Sequence, residues 1–217
     1  MQEPEKQVQE LQKLKTGTTT LVLKFKEGIV IASDRQATTY YKAGTVQKIF
    51  MLTKEESLMG VSIAGSAGDA VSLVNVLRSE LKLYRFETGH QASVKTATSL
   101  LSAIMYNSYR QYQPYFIQFL VAGVDHTGSY VYSMDMIGSI TEEKYASAGS
   151  GSFFALSKLE DEWKDDMSRE EAKELAIRAI KLAANRDLYT GYGVDVLIIT
   201  KDGSEREGVD FPVVLES

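Results

Sequence analysis

Hydrophobic and polar positions along the chain fall into blocks of alternating period. Thr20 to Lys26 is a β-branched, apolar run, and Glu27-Gly28 turns it into Ile29-Val30-Ile31-Ala32. These read as paired strands. Two more strand-like runs follow, Val46 to Leu52 and Leu58 to Ala64. The period then changes. Ala70, Leu73, Val74, Leu77, Leu81 and Tyr84 keep the three-and-four spacing of one helical face, and Val94, Ala97, Leu101, Ile104 and Met105 repeat it before Pro114. Strands return at Ile117 to Val124 and Tyr130 to Met136 around the turn Asp125-His126-Thr127-Gly128, with a third running into Tyr145-Ala146-Ser147. One helix then carries Leu156, Leu159 and Trp163. The next opens on the capping box Ser168-Arg169-Glu170-Glu171 and presents Ala172, Leu175, Ala176, Ala179, Ile180 and Ala183. Val194 to Thr200, the turn Lys201-Asp202-Gly203 and a short run near Val213-Val214-Leu215 finish the pattern.

Strand block, helix pair, strand block, helix pair, strand block is the order that results. Hairpin-linked strands imply antiparallel sheets, and helix pairs between strand blocks imply outer covering layers. The expected fold is therefore α+β: a four-layer αββα sandwich of two antiparallel sheets flanked by helix pairs. No internal repeat or low-complexity segment interrupts it.

Composition narrows the chemistry. The 217 residues are 44% hydrophobic and 24% charged, the proportions of one domain large enough to bury its own core. With no cysteine, thiol catalysis, disulfides and thiolate metal sites are excluded. Only two histidines are present, His90 and His126, each near a turn glycine, so neither a multi-histidine metal site nor a Ser-His-Asp triad is expected. No metal or cofactor is called for. The net charge of −5 argues against a nucleic-acid or anionic-membrane surface. No run approaches the ~20 apolar residues of a membrane helix, and Met1 to Lys15 lacks the apolar stretch of a signal peptide. The expectation is a cytoplasmic protein.

Residues 1–17 stand apart in composition. Val8, Leu11 and Leu14 make one weak helical stripe in a segment too short and polar to hold itself folded. Phosphate loops, dinucleotide fingerprints, zinc-protease motifs and nucleophile elbows are all absent. Two glycine-rich stretches, Ala64-Gly65-Ser66-Ala67-Gly68 and Gly149-Ser150-Gly151-Ser152, lie where a strand meets a helix, so their N–H groups can receive a carbonyl oxygen or serve as tight turns. The remaining nucleophiles are hydroxyls. At the composition break, Gly17 precedes Thr18-Thr19-Thr20. Cutting the Gly17–Thr18 bond would give Thr18 both a hydroxyl and an α-amine of pKa about 7.7–8.0, a usable base near neutral pH. Nucleophile and base would then share one residue. Three threonines also simply suit a strand, and spacing alone does not decide.

Six motifs in order bear on the choice: Gly17 with Thr18-Thr19-Thr20; Ala32-Ser33-Asp34-Arg35; Gln47-Lys48-Ile49-Phe50; Ile63-Ala64-Gly65-Ser66-Ala67-Gly68-Asp69; Tyr145-Ala146-Ser147-Ala148-Gly149-Ser150-Gly151-Ser152; and Arg186-Asp187-Leu188-Tyr189-Thr190-Gly191. From Thr18 to Thr200 the chain resembles archaeal-type proteasome β subunits, which are N-terminal-nucleophile threonine hydrolases. The resemblance implies a propeptide, residues 1–17, removed autocatalytically at Gly17-Thr18, and one catalytic domain, residues 18–217. It implies Thr18 as nucleophile, Lys48 beside its hydroxyl, Asp34 paired with Lys48, and the Gly65 N–H as oxyanion donor. Ser150, Asp187 and Thr190 would hydrogen-bond around the α-amine. Ala37, Thr38, Ile63 and Ala67 would line the substrate pocket, whose apolar members favour cleavage after large apolar residues.

Two departures from the family pattern stand out. Thr190 replaces the usual serine and keeps its hydroxyl. The segment between Arg35 and Lys48 is about two residues short, with Thr39-Tyr40-Tyr41-Lys42-Ala43-Gly44 in the loop. The implied partners are a homo-heptameric β ring stacked on a second β ring, proteasome α-subunit rings, an ATP-dependent unfoldase and unfolded polypeptide. Alternatives within the same class are a non-catalytic β-type ring subunit and the related bacterial threonine peptidase of hexameric rings.

Overall fold

The computed structural model describes residues 17–38, 43–53 and 58–211. The alternating runs fold as antiparallel ladders. β1 (Thr19–Phe25) turns back into β2 (Gly28–Asp34), and β11 (Val194–Thr200) and β12 (Gly203–Val209) form a second hairpin. With β10 (Tyr145–Gly149) these make one five-stranded sheet in the order β10-β1-β2-β11-β12. The other five-stranded sheet contains β5 (Ile49–Thr53), β6 (Leu58–Gly65), β7 (Ile117–Asp125), β8 (Gly128–Met134) and β9 (Ile140–Glu142), in sequence order. A small hairpin, β3 (Gln36–Thr38) with β4 (Ala43–Thr45), stands apart from both.

Among the described residues there are four helices, and each pair covers the outer face of one sheet. α1 (Ala67–Thr88) and α2 (Val94–Arg110) bury Leu73, Leu77, Leu81, Ala97, Leu101 and Met105 against Met59, Val61, Ile63, Phe119 and Val121. α3 (Ser152–Glu162) and α4 (Arg169–Ala184) bury Ala155, Leu159, Leu175, Ala179 and Ile180 against Leu21, Leu23, Val30, Val196 and Ile198. A third core fills the space between the sheets with Val22, Ile29, Ile31, Leu120, Ala122, Val131 and Leu197. Strand side chains alternate between faces, so β2 sends Val30 and Ala32 to the helices and Ile29 and Ile31 to the partner sheet. This is the αββα sandwich that the strand and helix blocks predict.

The elements end on the chemistry the sequence shows. Ser168 and Glu171 form both halves of the capping box at α4. The alanines of α4 let its backbone approach the sheet closely, and all six of its buried residues are those its spacing selects. Asp125, at the end of β7, accepts the Val94 N–H at 2.9 Å and so fastens the start of α2 to the β7–β8 hairpin.

Several boundaries differ from the sequence reading. The run Val46 to Leu52 becomes a strand only from Ile49; Val46 donates its N–H to the Arg35 carbonyl and Lys48 turns inward. β12, β9 and the β3–β4 hairpin are additional strands. β12 reads Gly-Ser-Glu-Arg-Glu-Gly-Val and is a polar edge strand, which gives no apolar alternation to detect. The run near 213–215 and the stripe Val8, Leu11 and Leu14 lie outside the described residues.

Ile31 is fully buried between the sheets. Ile31→Ala is expected to remove about 3 kcal/mol of unfolding free energy. Urea titration of the chain should show a lowered midpoint with an unchanged slope.

Candidate active site

The first residue of the Thr18-Thr19-Thr20 run sits just before β1 and follows Gly17. Thr18 is 4% exposed and Thr19 is fully buried, although both have polar side chains. Buried hydroxyls and N–H groups require partners, and these partners are the candidate residues.

Asp34 ends β2 with both oxygens doubly occupied. Its Oδ1 accepts from the Thr19 N–H at 2.9 Å and from the Lys48 ammonium at 2.7 Å. Its Oδ2 accepts from the Gln36 N–H at 2.9 Å and the Gly191 N–H at 3.1 Å. Asp34 and Lys48 are 0% and 3% exposed. Burial pushes the Asp34 carboxyl above its ordinary value, and Lys48's charge and hydrogen bond pull it back. Burial likewise pushes the Lys48 ammonium below its ordinary value against the pull of Asp34 and, more weakly, Asp187. A lysine so placed gives up its proton more readily than a surface lysine.

Lys48 also donates to the Gly17 carbonyl oxygen at 3.3 Å, and the Thr18 hydroxyl donates to that same oxygen at 2.7 Å. The hydroxyl and the ammonium therefore converge on the carbonyl of the bond that the composition break marks. Gly17 is pressed against the α4–β11 loop: a Cβ here would stand 1.7 Å from the Tyr189 Cβ and 2.6 Å from its carbonyl oxygen. Only glycine fits without displacing backbone.

On the other side, the Thr18 N–H donates to Ser150 Oγ at 3.3 Å, and Ser150 Oγ donates to Asp187 Oδ2 at 2.6 Å. Thr190 Oγ1 donates to the same Asp187 oxygen at 2.6 Å and meets Thr19 Oγ1 at 2.7 Å. Of the three residues expected around the Thr18 nitrogen, Ser150 touches it directly. Asp187 and Thr190 stand one and two hydrogen bonds behind.

Gly65 closes β6 at φ 130°, a conformation that L side chains rarely adopt, and a Cβ there would lie 2.1 Å from the Phe116 carbonyl oxygen. Its strand is tied to the lysine, since the Ile63 N–H donates to the Lys48 carbonyl at 3.1 Å. Of the pocket candidates, Ala37 lies on β3 three residues past Asp34 and is half-buried; Thr38 follows it on the same strand. Ala67 is exposed at the start of α1. Ile63 is 4% exposed and packs into the core beneath α1 and α2. The loop 39–42, where the sequence is short, lies outside the described residues.

The structure adds participants that the sequence did not single out. The second threonine, Thr19, bonds both Asp34 and Thr190. The N–H groups of Gln36 and Gly191 complete the shell around Asp34. Arg35 then bolts the end of β2 in place, donating to Asp195 at 2.7 Å and to Asp210 at 2.5 Å. A run of three threonines carries no spacing signal that would separate these roles.

A two-sheet sandwich with a threonine at the head of its first strand, lysine and aspartate beneath it, is the architecture of the N-terminal-nucleophile hydrolase class. The comparisons with known proteins agree. Residues 14–199 match the family model described as "Proteasome subunit". Proteasome subunit beta 1 of Thermococcus onnurineus is 43% identical over 194 residues, 88% of this chain and 92% of the relative. Proteasome subunit beta of Methanocorpusculum labreanum is 41% identical over 200 residues, covering 91% and 92%. Proteasome subunit beta 2 of Pyrococcus furiosus is 41% identical over 208 residues, covering 94% and 98%. This chain belongs to the proteasome subunit family, as a β-type subunit.

Lys48→Met leaves Asp34 buried among three N–H donors without a counter-charge. The expected cost is about 3 kcal/mol of unfolding free energy at neutral pH. A protonated Asp34 needs no counter-charge, so the deficit should shrink as pH falls; parallel melts across pH check both parts.

Proposed function

We propose that this chain is the catalytic β subunit of a proteasome core particle, a threonine endopeptidase whose nucleophile is Thr18. The observation that carries the reading is the convergence of the Thr18 hydroxyl and the Lys48 ammonium on the Gly17 carbonyl oxygen, 2.7 and 3.3 Å away. Residues 1–17 are the propeptide and residues 18–217 the mature domain.

That geometry supports self-cleavage. The Thr18 Oγ attacks the Gly17 carbonyl carbon, and negative charge develops on the oxygen beside Lys48. The C–N bond breaks, the hydroxyl proton passes to the nitrogen, and an ester joins Gly17 to Thr18 Oγ. Water hydrolyses the ester and releases residues 1–17 with a carboxylate. Thr18 keeps its hydroxyl and gains a free α-amine, which rests on Ser150.

The mature site repeats the chemistry on substrate. The amine takes the hydroxyl proton as Oγ attacks a peptide carbonyl, then delivers it to the departing amine. Lys48, held by Asp34, favours the anionic oxygen of Thr18, and the Gly65 N–H receives the substrate oxyanion. Ala37, Thr38, Ile63 and Ala67 line the pocket for the residue preceding the cut bond. With no side-chain charge among them, cleavage after large apolar residues is favoured.

Confinement in a ring chamber completes the reading: a homo-heptameric β ring stacked on a second, capped by α rings, located in the cytoplasm and fed unfolded chains by an ATP-dependent unfoldase. Supporting assembly, large apolar side chains stand exposed on α1 (Val76, Leu83, Phe86), on α2 (Tyr106, Tyr109) and near the site (Phe153, Leu188). Such a density of exposed aromatic and aliphatic groups is the mark of protein contact surfaces.

Intact mass of the chain, alone and after assembly with an α-type subunit, tests the reading. Loss of residues 1–17 on assembly, abolished by Thr18→Ala, is expected. An unchanged mass in a completed particle would leave Thr18 without its amine and make the chain a structural ring subunit. On the processed particle, fluorogenic peptides ending in Tyr or Leu should be cut faster than those ending in Arg or Glu.

A further inference from the structure

Hydrogen-bond direction around Asp187 follows from valence together with distance. A hydroxyl has one proton. Thr190 spends its proton on Asp187 Oδ2 at 2.6 Å, and Ser150, which also lies 3.3 Å from the Thr18 carbonyl oxygen, spends its own on the same Asp187 oxygen at 2.6 Å, the shorter and charge-assisted contact. A carboxylate only accepts. The 2.7 Å contact between Thr19 Oγ1 and Thr190 Oγ1 must therefore be donated by Thr19. Ser150, its proton committed, presents a lone pair to the Thr18 nitrogen 3.3 Å away. The wiring runs Thr19 to Thr190 to Asp187 on one arm, and Thr18 nitrogen to Ser150 to Asp187 on the other, with both arms ending on one oxygen.

Thr19 has a second attachment. Its backbone N–H donates to Asp34 Oδ1 at 2.9 Å, the oxygen that also holds the Lys48 ammonium. The residue is fully buried, so water cannot replace either bond. One residue thus fastens the lysine-holding half of the site to the amine-holding half.

We propose that Thr19 is a positioning residue: its hydroxyl locks the Thr190 hydroxyl onto Asp187 and thereby fixes the Ser150 lone pair that holds the Thr18 amine. The inference rests on the threonine-hydrolase reading of Thr18. The charged groups around that amine are Lys48 before β5, Asp34 at the end of β2 and Asp187 after α4. If the Thr19 hydroxyl is removed, Thr190 is free to turn away. Asp187 then loses a donor, its charge is less neutralised, and its field on the amine grows. A stronger negative field keeps the amine protonated to higher pH, and cooperative hydrogen bonding along the arm is lost with it.

The test is peptide hydrolysis by assembled, processed particles, with intact mass first showing Thr18 at the N-terminus. Thr19→Val keeps the shape and removes the hydroxyl. It is expected to lower kcat on the order of ten-fold, the scale of one hydrogen bond, with KM unchanged. The acid limb of the kcat profile should move to higher pH, and Thr19→Ser should restore both. Thr190→Val should move the limb the same way, and the double variant should be no worse than the worse single, because both act through one arm. A wild-type profile in Thr19→Val overturns the inference. So does a loss of kcat with an unmoved limb that Thr19→Ser fails to restore. If Thr19→Val does not assemble, an unmoved limb in Thr190→Val overturns it equally. Thr18→Ala is the separate control: activity surviving there defeats the hydrolase reading itself, whereas an inactive Thr18→Ala beside a wild-type-like Thr19→Val defeats only the role given to Thr19.

Discussion

A carboxylate with no exposure to water must satisfy every lone pair inside the protein, and Asp34 does so with four donors from four places in the chain. Those donors are β1, the chain just past β2, the coil before β5 and the α4–β11 loop. Both sheets and the loop after α4 meet at this one side chain. Desolvating an aspartate and a lysine together costs several kcal/mol, and only near-complete hydrogen bonding offsets it. The arrangement is therefore intolerant of small displacements. That intolerance keeps the Thr18 hydroxyl and the Lys48 ammonium 2.7 and 3.3 Å from the Gly17 carbonyl oxygen.

The sandwich supplies the rigidity. Three parallel cores hold the sheets and helices: one beneath α1 and α2, one between the sheets, and one beneath α3 and α4. The candidate residues stand at or next to strand ends, where side chains leave the core but backbones are still held by ladders. Thr18 immediately precedes β1, Asp34 ends β2, Lys48 immediately precedes β5, Gly65 ends β6, and Ser150 follows β10. The pair Arg35–Asp195, with Asp210 behind, ties the end of β2 to β11 on the outer side of the same corner. Its charges lie partly exposed, so their value is geometric more than energetic.

How much of this was legible depended on what kind of signal each feature left. Elements that bury apolar residues were readable: α4 from the period of its alanine stripe and from its capping box, β2 and β11, buried on both faces, from their continuous apolar runs. β12 was not, because an edge strand reading Gly-Ser-Glu-Arg-Glu-Gly-Val buries no apolar face. Nor was the late start of β5, where Lys48 is drawn inward by a carboxylate 14 residues earlier in the chain. Within the site, Thr18, Asp34, Lys48, Ser150, Asp187 and Thr190 could be named from ordered motifs, and hydrogen bonds in the structure link them into one cluster. Thr19 could not. Its neighbours Thr18 and Thr20 are the same residue type, and the side chains of Thr19 and Thr20 point to opposite faces of the strand. Only the fold shows that Thr19 meets Thr190 while Thr20 bonds the Ala32 carbonyl.

The same geometry explains why glycine precedes the threonine. Tyr189 lies between Asp187 and Thr190, so the loop that carries the Asp187 hydrogen bonds also forms the wall against Gly17. Any side chain at position 17 would push on Tyr189 and, through it, on both residues that hold the Asp187 network. The constraint is thus shared. The loop cannot retreat to admit a larger residue without loosening the hydrogen bonds behind Ser150, and Gly17 cannot gain a Cβ without moving the loop. Position 17 and the α4–β11 loop are fitted to each other through backbone contact, which is why the residue preceding Thr18 is as tightly specified as the threonine itself.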